Sequence, residues 1–296
     1  MSNNINESDK KALIRFIKST DKFTQGKNVK KFEEKWSKWL GVKYSTFVNS
    51  GASANFLSLK ILKDIKKNRS EVILPAFTWS SDVNAVINSG FKPVFVDINL
   101  TNLALDEELV KKNISKKTAA IFLTHAMGFL GISKSLLDYI KKRNILLIED
   151  VCESHGIHLN GKKGGSLGEI SNFSFYYAHH ITTIEGGMIS TNSKEIDILA
   201  KMKRGHGLLR DSQDSKLIKK TKSMYKDLNS DFIFLTEGFN FRSNELSAVI
   251  GLEQIKRLNR NIKIRNVNHK LFLKNLRKDV FISDFNLSGS SNYGLH

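Results

Sequence analysis

The sequence predicts an α/β protein whose central sheet is mostly parallel and doubly wound. Short apolar strand patterns alternate with amphipathic helical patterns along most of the chain, which is the order that βαβ units produce. The turns that follow these strand patterns lie at 50–52, 76–79, 125–128 and 150–156. Ligands of such sheets bind beyond the carboxyl ends of the strands, so these four turns are the expected place of a functional site.

The individual elements are predicted from periodicity and from the residues that stop them. Apolar residues recur at helical spacing from Val29 to Leu40 and end at Gly41, because glycine readily takes the left-handed conformation that closes a helix. Other helices are predicted at 8–18, 53–66, 80–89, 105–112, 133–142, 194–203, 244–258 and 261–277. Strands are predicted at 44–48, 71–74, 91–97, 118–123, 144–149, around Phe173 and at 188–191. Residues 211–230 lack apolar periodicity and are expected to form an exposed loop, and one short strand is expected between Val280 and His296.

Size and composition indicate a soluble enzyme of a reduced compartment. A chain of 296 residues can bury a sizeable core in one large domain or one and a half. Cys152 is the single cysteine, so one chain can build neither a disulfide framework nor a cysteine-held metal or iron–sulfur site. The N-terminus lacks the apolar core of a signal peptide, and no apolar run is long enough to span a bilayer. We therefore expect a cytoplasmic protein that needs neither a membrane nor a metal.

The formal net charge of +18 is spread over lysines in most of the predicted helices. A basic surface attracts nucleic acid, but it also attracts a nucleotide diphosphate or the phosphate of a cofactor. The sequence contains no zinc finger, aromatic RNA-binding signature or obvious helix-turn-helix, so nucleic acid is not an expected partner. Lysine-rich solvated helix faces are the simpler interpretation of this charge.

Two strand ends carry residues suited to binding a cofactor. The strand 44–48 runs through Asn49-Ser50-Gly51-Ala52 into a helix, and the free N–H groups and dipole of a helix N-terminus attract anions. The strand 144–149 delivers Asp150, whose carboxylate suits a protonated pyridine nitrogen. Neither signal is specific, since many α/β units contain such a turn and Asp150 could equally cap the next helix.

The segment from Phe173 to Met188 is the most informative stretch. It contains His179 and His180 and continues into Glu185-Gly186-Gly187. The segment resembles the lysine-bearing segment of the sugar aminotransferase (DegT/DnrJ/EryC1/StrS) family, with His179 in the place of the Schiff-base lysine. Stretches that match the family in the same order are 24–26, 49–51, 75–79, 93–97, 148–156 and 238–242. The resemblance implies a type I pyridoxal-phosphate (PLP) transferase fold, similar to aspartate aminotransferase, with a large domain at 1–250 and an incomplete small domain at 251–296.

The family resemblance also implies roles for individual residues. The N–H groups of Gly51 and Ala52 and the hydroxyl of Ser174 would hold the cofactor phosphate. Asn240 and, less directly, Arg242 would reach the cofactor phosphate of a neighbouring subunit, which implies a homodimer with shared active sites.

The cofactor ring would be held by three further residues. Trp79 would stack on the pyridine ring, Asp150 would bind its nitrogen, and Glu153 would lie near its phenolic oxygen. His206 is a further candidate for substrate contact.

A histidine in the lysine position resembles the ketosugar 3-dehydratase branch of the family. This branch implies PLP- and pyridoxamine-phosphate-dependent 3-dehydration of a nucleotide-linked 4-keto-6-deoxy sugar, with GDP-4-keto-6-deoxy-D-mannose expected as substrate and glutamate as amino donor. Imidazole titrates near neutrality and can both accept and donate a proton, so His179 is the expected catalytic base and acid. His180 is the competing candidate, because neighbouring residues of an extended chain face opposite sides and only one can face the ring.

Two other functions are compatible with the same residues. An ordinary aminotransferase would need its lysine from elsewhere, for instance from Lys162 or Lys163. A non-catalytic relative that keeps cofactor binding is the other alternative. Retention of Trp79, Asp150 and Glu153 argues against a decayed site.

Overall fold

A computed structural model describes residues 4–292, which form helices on both faces of a seven-stranded sheet. The helices are α1 (Glu7–Ile17), α2 (Lys27–Leu40), α3 (Gly51–Ile65), α4 (Ser80–Asn88), α5 (Glu107–Asn113), α6 (Lys134–Lys142), α7 (Lys194–Arg204), α8 (Ser215–Met224), α9 (Glu245–Gln254) and α10 (Leu258–Asn275). The strands are β1 (Tyr44–Val48), β2 (Glu71–Pro75), β3 (Lys92–Val96), β4 (Ile98–Asn99), β5 (Ala104–Leu105), β6 (Thr118–Thr124), β7 (Leu146–Asp150), β8 (His158–Leu159), β9 (Lys162–Lys163), β10 (Ile170–Ser174) and β11 (Gly187–Thr191).

The large sheet has the strand order β1-β11-β10-β7-β6-β2-β3. The five neighbours from β10 to β3 are parallel, and β11 runs antiparallel to both β10 and β1. The predicted mostly parallel sheet is therefore confirmed. The two remaining pairs, β4 with β5 and β8 with β9, are short antiparallel hairpins outside this sheet.

Alternating side chains of the strands pack into cores on opposite faces of the sheet. In β2, Val72 and Leu74 belong to the core beneath α3 and α7, whereas Ile73 belongs to the core beneath α6. All of these side chains are fully buried, because a parallel strand between two helical layers has no solvent face. On the second of these faces, Trp36 of α2 belongs to a core that also contains side chains of β10 and β11. The sheet is thus doubly wound, as predicted.

Most predicted elements are present, but two expectations for the second half of the chain are wrong. The lysine-rich stretch 211–230 contains α8, because Asp214 caps that helix by accepting the N–H of Leu217 at 2.7 Å. Residues 280–292 form no strand, and the rest of the strand expected there lies outside the described residues. Residue 250 lies inside α9, and the division of the chain near it into two domains stays a prediction.

In residues 4–292 we find no helix that is both long and apolar enough to cross a membrane.

Candidate active site

The strand ends that the sequence singled out meet at one edge of the sheet. Thr124 at the end of β6 pairs with Asp150 at the end of β7, and Asp150 pairs in turn with Asn172 of β10. Two residues further along, Ser174 at the end of β10 lies opposite Gly187. Because parallel strands bring their carboxyl ends together, residues far apart in the sequence share one location.

A cavity of 720 Å³ opens at this edge. Its lining includes seven of the predicted site residues: Gly51, Ala52, Trp79, Asp150, Glu153, Ser174 and the predicted catalytic residue His179. The other lining residues are Ser50, Phe77, Thr78, Ser81, Thr124, His125, Ala126, Met127, Cys152, Tyr176 and Glu185. None of the described residues that line the cavity is a lysine.

One end of the cavity is formed by the N-terminus of α3. Ser50 caps this helix by accepting the N–H of Ser53 at 3.0 Å, which leaves the first-turn N–H groups of Gly51 and Ala52 available to a ligand. A side chain at position 51 would not fit, since a Cβ atom there would lie 2.6 Å from the Cβ atom of Ser174. The missing side chain lets the helix end approach β10 closely, which makes an anion cradle of backbone donors.

Asp150 presents a buried carboxylate to the cavity. Its side chain is 4% exposed. One oxygen accepts the N–H of Cys152 at 2.8 Å, and the other accepts the Asn55 amide at 2.7 Å. These donors fix the carboxylate in a single orientation, and residues 151–157 form no helix that Asp150 could cap. This arrangement suits a cationic ring nitrogen.

Trp79 and Glu153 lie on other parts of the lining. The Trp79 side chain is 68% exposed and leaves an aromatic face open to a planar ligand. Glu153 accepts the N–H of Met127 at 3.0 Å, and burial together with the negative charge of Asp150 raises the pKa of its carboxyl. A raised pKa favours the protonated carboxyl, which can donate a hydrogen bond to a ligand oxygen.

The two adjacent histidines occupy different environments. His179 lines the cavity, whereas His180 is fully buried and donates through Nε2 to the Ser291 carbonyl at 2.6 Å. The sequence argument assumed that the chain is extended at the two histidines, and this assumption is wrong. The N–H of His179 donates to the Tyr176 carbonyl at 3.1 Å in a turn. A substrate contact for His180 does not fit this geometry.

A third buried histidine lies behind the pair. The ring centre of His155 is 6.1 Å from that of His179 and 5.2 Å from that of His180. Burial is the main cause that lowers the pKa of His179 to about 4 and that of His180 to about 3, and the nearby Arg265 charge lowers both further. The pKa of His155 is also lowered, mainly by burial. All three imidazoles are neutral in the folded protein at neutral pH.

This histidine cluster predicts an acid-sensitive fold. The unfolded chain takes up protons at these residues near pH 6.5, while the folded chain does not, so stability is full above that pH and falls as the pH drops towards 4. For His179 alone the loss reaches about 3 kcal/mol at the acid end. Denaturant unfolding between about pH 7 and about pH 4.5 measures this slope.

A matched variant separates this effect from general acid unfolding. His180→Gln keeps a donor for the Ser291 carbonyl but does not titrate. The variant should therefore show a smaller fall in unfolding free energy over the same pH range. Equal slopes for the two proteins would contradict the assignment.

A strained turn connects His179 to the far side of the cavity. Ile184 has a φ of 72°, which is costly for a β-branched residue. Its N–H donates to the Thr182 hydroxyl at 2.9 Å, and the Thr183 hydroxyl donates to the Glu185 carbonyl at 2.7 Å. The two threonines hold the turn in this conformation and place Glu185 on the cavity lining.

Three predicted site residues lie away from the cavity. Asn240 is exposed and pairs with Gly205. His206, the residue after Gly205, is also exposed. Arg242 donates to Asp211 at 2.9 Å and lines a separate cleft of 490 Å³ with residues 24–26. Within one chain, none of the three lines the cavity.

The lysines considered for an ordinary aminotransferase are also distant. Lys162 and Lys163 form β9, and the amino group of Lys163 lies 5.2 Å from the ring centre of Trp39. Neither residue lines the cavity.

The sequence interpretation missed a polar network behind the cavity wall. Asp82 and Asn55 are buried, and together with Thr78 and Thr124 they connect to Asp150. An acidic residue in the first turn of a helix is ordinary, so Asp82 carried no signal by itself. Only the meeting of α3, α4 and β7 joins these residues.

The chain is similar in sequence to known proteins along most of its length. The DegT/DnrJ/EryC1/StrS aminotransferase family matches residues 3–287. The GDP-4-keto-6-deoxy-D-mannose 3-dehydratase of Escherichia coli O55:H7 is 34% identical over 284 residues, which are 95% of this chain and 73% of that protein.

Solved structures give the same result. An E. coli GDP-4-keto-6-deoxy-D-mannose-3-dehydratase with bound hydrated PLP has a TM-score of 0.90 at 32% identity, covering 99% of this chain and 76% of that one. A GDP-4-keto-6-deoxymannose-3-dehydratase with a trapped PLP-glutamate geminal diamine has a TM-score of 0.88 at 31% identity, covering 99% and 76%. The expected aspartate aminotransferase-like fold is thereby confirmed. The chain belongs to the DegT/DnrJ/EryC1/StrS aminotransferase family.

Proposed function

We propose that this protein is a PLP-dependent dehydratase that removes the C3 hydroxyl of GDP-4-keto-6-deoxy-D-mannose, with glutamate as amino donor. The observation that carries this proposal is His179 on the lining of a cavity in which no described residue is a lysine. An aminotransferase of this family needs a lysine amine there, whereas a dehydratase needs a group that moves protons. The likeness to GDP-sugar dehydratases along nearly the whole chain supports the substrate.

The cavity fits the cofactor at both ends. Gly51, Ala52 and Ser174 would hold the phosphate in the cradle at the start of α3, and Asp150 would bind the pyridine nitrogen. When bound as pyridoxamine phosphate, the cofactor supplies an amine for the sugar ketone and a ring that takes up electrons. The basic surface of a chain with net charge +18 would favour the approach of a phosphorylated cofactor and a nucleotide diphosphate.

His179 would move the proton in both halves of the reaction. Its pKa of about 4 keeps the imidazole neutral at neutral pH, so it is ready to accept a proton from the cofactor carbon beside the amine. Once protonated, it is an acid strong enough to assist a poor leaving group such as the C3 hydroxyl. The negative charge of Asp150 raises the pKa of His179 and so favours the protonated state.

Trp79 and Glu153 would orient the ring. The exposed indole of Trp79 offers a stacking face at one side of the cavity. Glu153, whose pKa is raised by burial, would donate a hydrogen bond to the phenolic oxygen of the ring. Together with Asp150 they would contact one face and two edges of a planar ligand.

We also propose a cytoplasmic homodimer in which each chain completes the partner's site. Asn240 and His206 are exposed, and Arg242 lines a cleft outside the cavity. None of the three therefore lines the cavity of its own chain. In a dimer, Asn240 and Arg242 would reach the cofactor phosphate of the other subunit.

Product analysis tests the proposed reaction. The protein is incubated with PLP, glutamate and either a GDP-linked or a CDP-linked 4-ketosugar, and the products are identified by mass spectrometry. We expect the GDP-linked 4-keto-6-deoxymannose to lose one oxygen atom with release of ammonia. A product that carries an amino group in place of the ketone, or a lysine adduct after borohydride reduction with PLP, would instead indicate an aminotransferase.

The phosphate cradle makes a separate prediction. In Gly51→Ala the new methyl group would lie 2.6 Å from the Cβ atom of Ser174 and 3.0 Å from the Cys152 sulfur, so the helix end must move away from β10. We expect the dissociation constant for PLP to rise about 10- to 100-fold, the consequence of about 1–3 kcal/mol of overpacking. Fluorescence titration with PLP measures this change. Asn68→Ala, at an exposed position just beyond the other end of α3, is the control and should bind PLP normally.

A further inference from the structure

Two buried carboxyl groups share one amide behind the cavity wall. Asp82, in the first turn of α4, is fully buried, and Asp150 is 4% exposed. The side-chain nitrogen of Asn55 lies 2.7 Å from an oxygen of each. Two carboxylates so close together in a buried site repel each other strongly, so one of them is expected to hold a proton.

Burial decides which carboxyl of the pair is protonated, because the other hydrogen bonds to Asp82 favour its charged form. The Thr78 and Thr124 hydroxyls donate to its Oδ2 at 2.5 Å and 2.8 Å, which leaves Oδ1 on the side of Asn55 and Asp150. Burial is the largest cause that raises the pKa of Asp82 well above its usual value, and the charge of Asp150 is the next. Asp82 is therefore the neutral member of the pair, and Asp150 carries the charge that faces the cavity.

Asn55 is committed to this pair. Both hydrogens of its amide nitrogen are directed to the two carboxyl groups, and its Oδ1 has no hydrogen-bond partner among the described residues. A buried amide oxygen without a partner is destabilising. The Asn55 amide nitrogen thus holds the two aspartates together, while the amide oxygen remains a destabilising group.

The other ionisable groups around the pair are Cys152, Glu153 and His179. Burial raises the pKa of the Cys152 thiol and of the Glu153 carboxyl, and it lowers the pKa of His179. The groups contributed by α3, β6 and the loop before α4 are the uncharged Asn55, Thr124 and Thr78. Asp82 is thus the carboxyl that lies next to Asp150, on the other side of the Asn55 amide.

We propose that Asp82 is a positioning residue: with Asn55 it fixes the Asp150 carboxylate towards the cavity and sets how tightly a pyridine nitrogen bound there holds its proton. This inference rests on the proposed function, since it concerns the ring nitrogen of bound PLP. Asp82 contacts no ligand itself, because it is fully buried and absent from the cavity lining. It acts through Asp150.

The test compares two variants that differ in one donor. Asp82→Asn keeps an amide N–H for Asp150 and an oxygen for the threonine hydroxyls, so it imitates the protonated acid. Asp82→Leu has a similar branched shape, although its side chain is larger, and it removes the donor, which makes the Asp150 carboxylate more basic. The measurement is the absorption spectrum of PLP bound to each protein as a function of pH, which does not require turnover.

We expect Asp82→Asn to keep the spectral midpoint of the wild type and Asp82→Leu to raise it by about one pH unit, the effect of one hydrogen bond to a charged group. A midpoint that moves in Asp82→Asn would overturn the proposal, because Asp82 would then be ionised. An unchanged midpoint in a folded Asp82→Leu would overturn it as well. If Asp82→Leu does not fold, Asn55→Leu removes the other donor to Asp150 and should raise the midpoint in the same direction. Failure of the wild type to bind PLP would instead refute the proposed function, and is recognised before any variant is compared.

Discussion

Replacing His179 with asparagine should lower the rate of dehydration by about a thousandfold, the usual contribution of a general acid and base. Asn cannot accept and return a proton, but it fills a similar volume at the cavity wall. Because His179 lies on the lining and is only 9% exposed, the affinity for PLP should change by less than about tenfold. Ammonia release under saturating cofactor measures the rate, and PLP titration measures the affinity.

His180→Gln is the matched control for this variant. His180 is fully buried and donates to the Ser291 carbonyl, a contact that glutamine can keep. We expect its rate to remain within a few-fold of the wild type. A large loss of rate in His180→Gln with little loss in His179→Asn would reverse the assignment of the two histidines.

His179→Lys adds a test of position. An amine introduced at this point of the lining should reach the cofactor aldehyde and form a covalent link that borohydride makes permanent. Mass spectrometry of the reduced protein should then find the cofactor on residue 179. A variant that still dehydrates the sugar at the normal rate would exclude His179 as the base.

Replacing Asp150 with asparagine should lower the rate by about 100- to 1000-fold, as expected for the loss of one fixed charge at a reacting centre. The carboxylate is held by the Cys152 N–H and the Asn55 amide. An uncharged side chain at 150 would no longer favour a protonated ring nitrogen, so the ring would take up electrons less readily. Steady-state rates and the spectrum of bound PLP measure both effects.

Glu149, the residue before Asp150, offers a control in which the stability should fall while the rate per folded molecule is kept. Glu149 is fully buried on the other side of the strand, where it accepts the N–H groups of Gly165, Leu167 and Gly168 and contacts His125 at 3.2 Å. Glu149→Gln should lower the melting temperature by several degrees, because buried N–H groups lose a charged acceptor. Its rate per folded molecule should remain close to normal. If Asp150→Asn behaves in the same way, Asp150 has a structural role only.

Local patterns were sufficient to predict the parallel sheet and the position of the site. Apolar strands such as β6 are buried along their whole length, so their composition alone indicates a sheet covered on both faces. The turns after β1, β7 and β10 lie at strand ends that the topology must bring together. By contrast, the helix α8 was missed because its one buried residue is the polar Thr221, so no buried apolar stripe marks it, and Asp214 caps its start.

The sequence by itself determined the family, the cofactor class and the replacement of a lysine by His179. The tertiary structure decided which histidine faces the cavity, because the chain makes a turn at Tyr176 that no alternation rule describes. It also decided the environment of Asp150, since Asp82 and Asn55 are 68 and 95 residues away from it along the chain. Sequence motifs identify the residues that touch a ligand. The buried partners that set their charge come from other helices and strands, and only packing brings them within hydrogen-bonding distance.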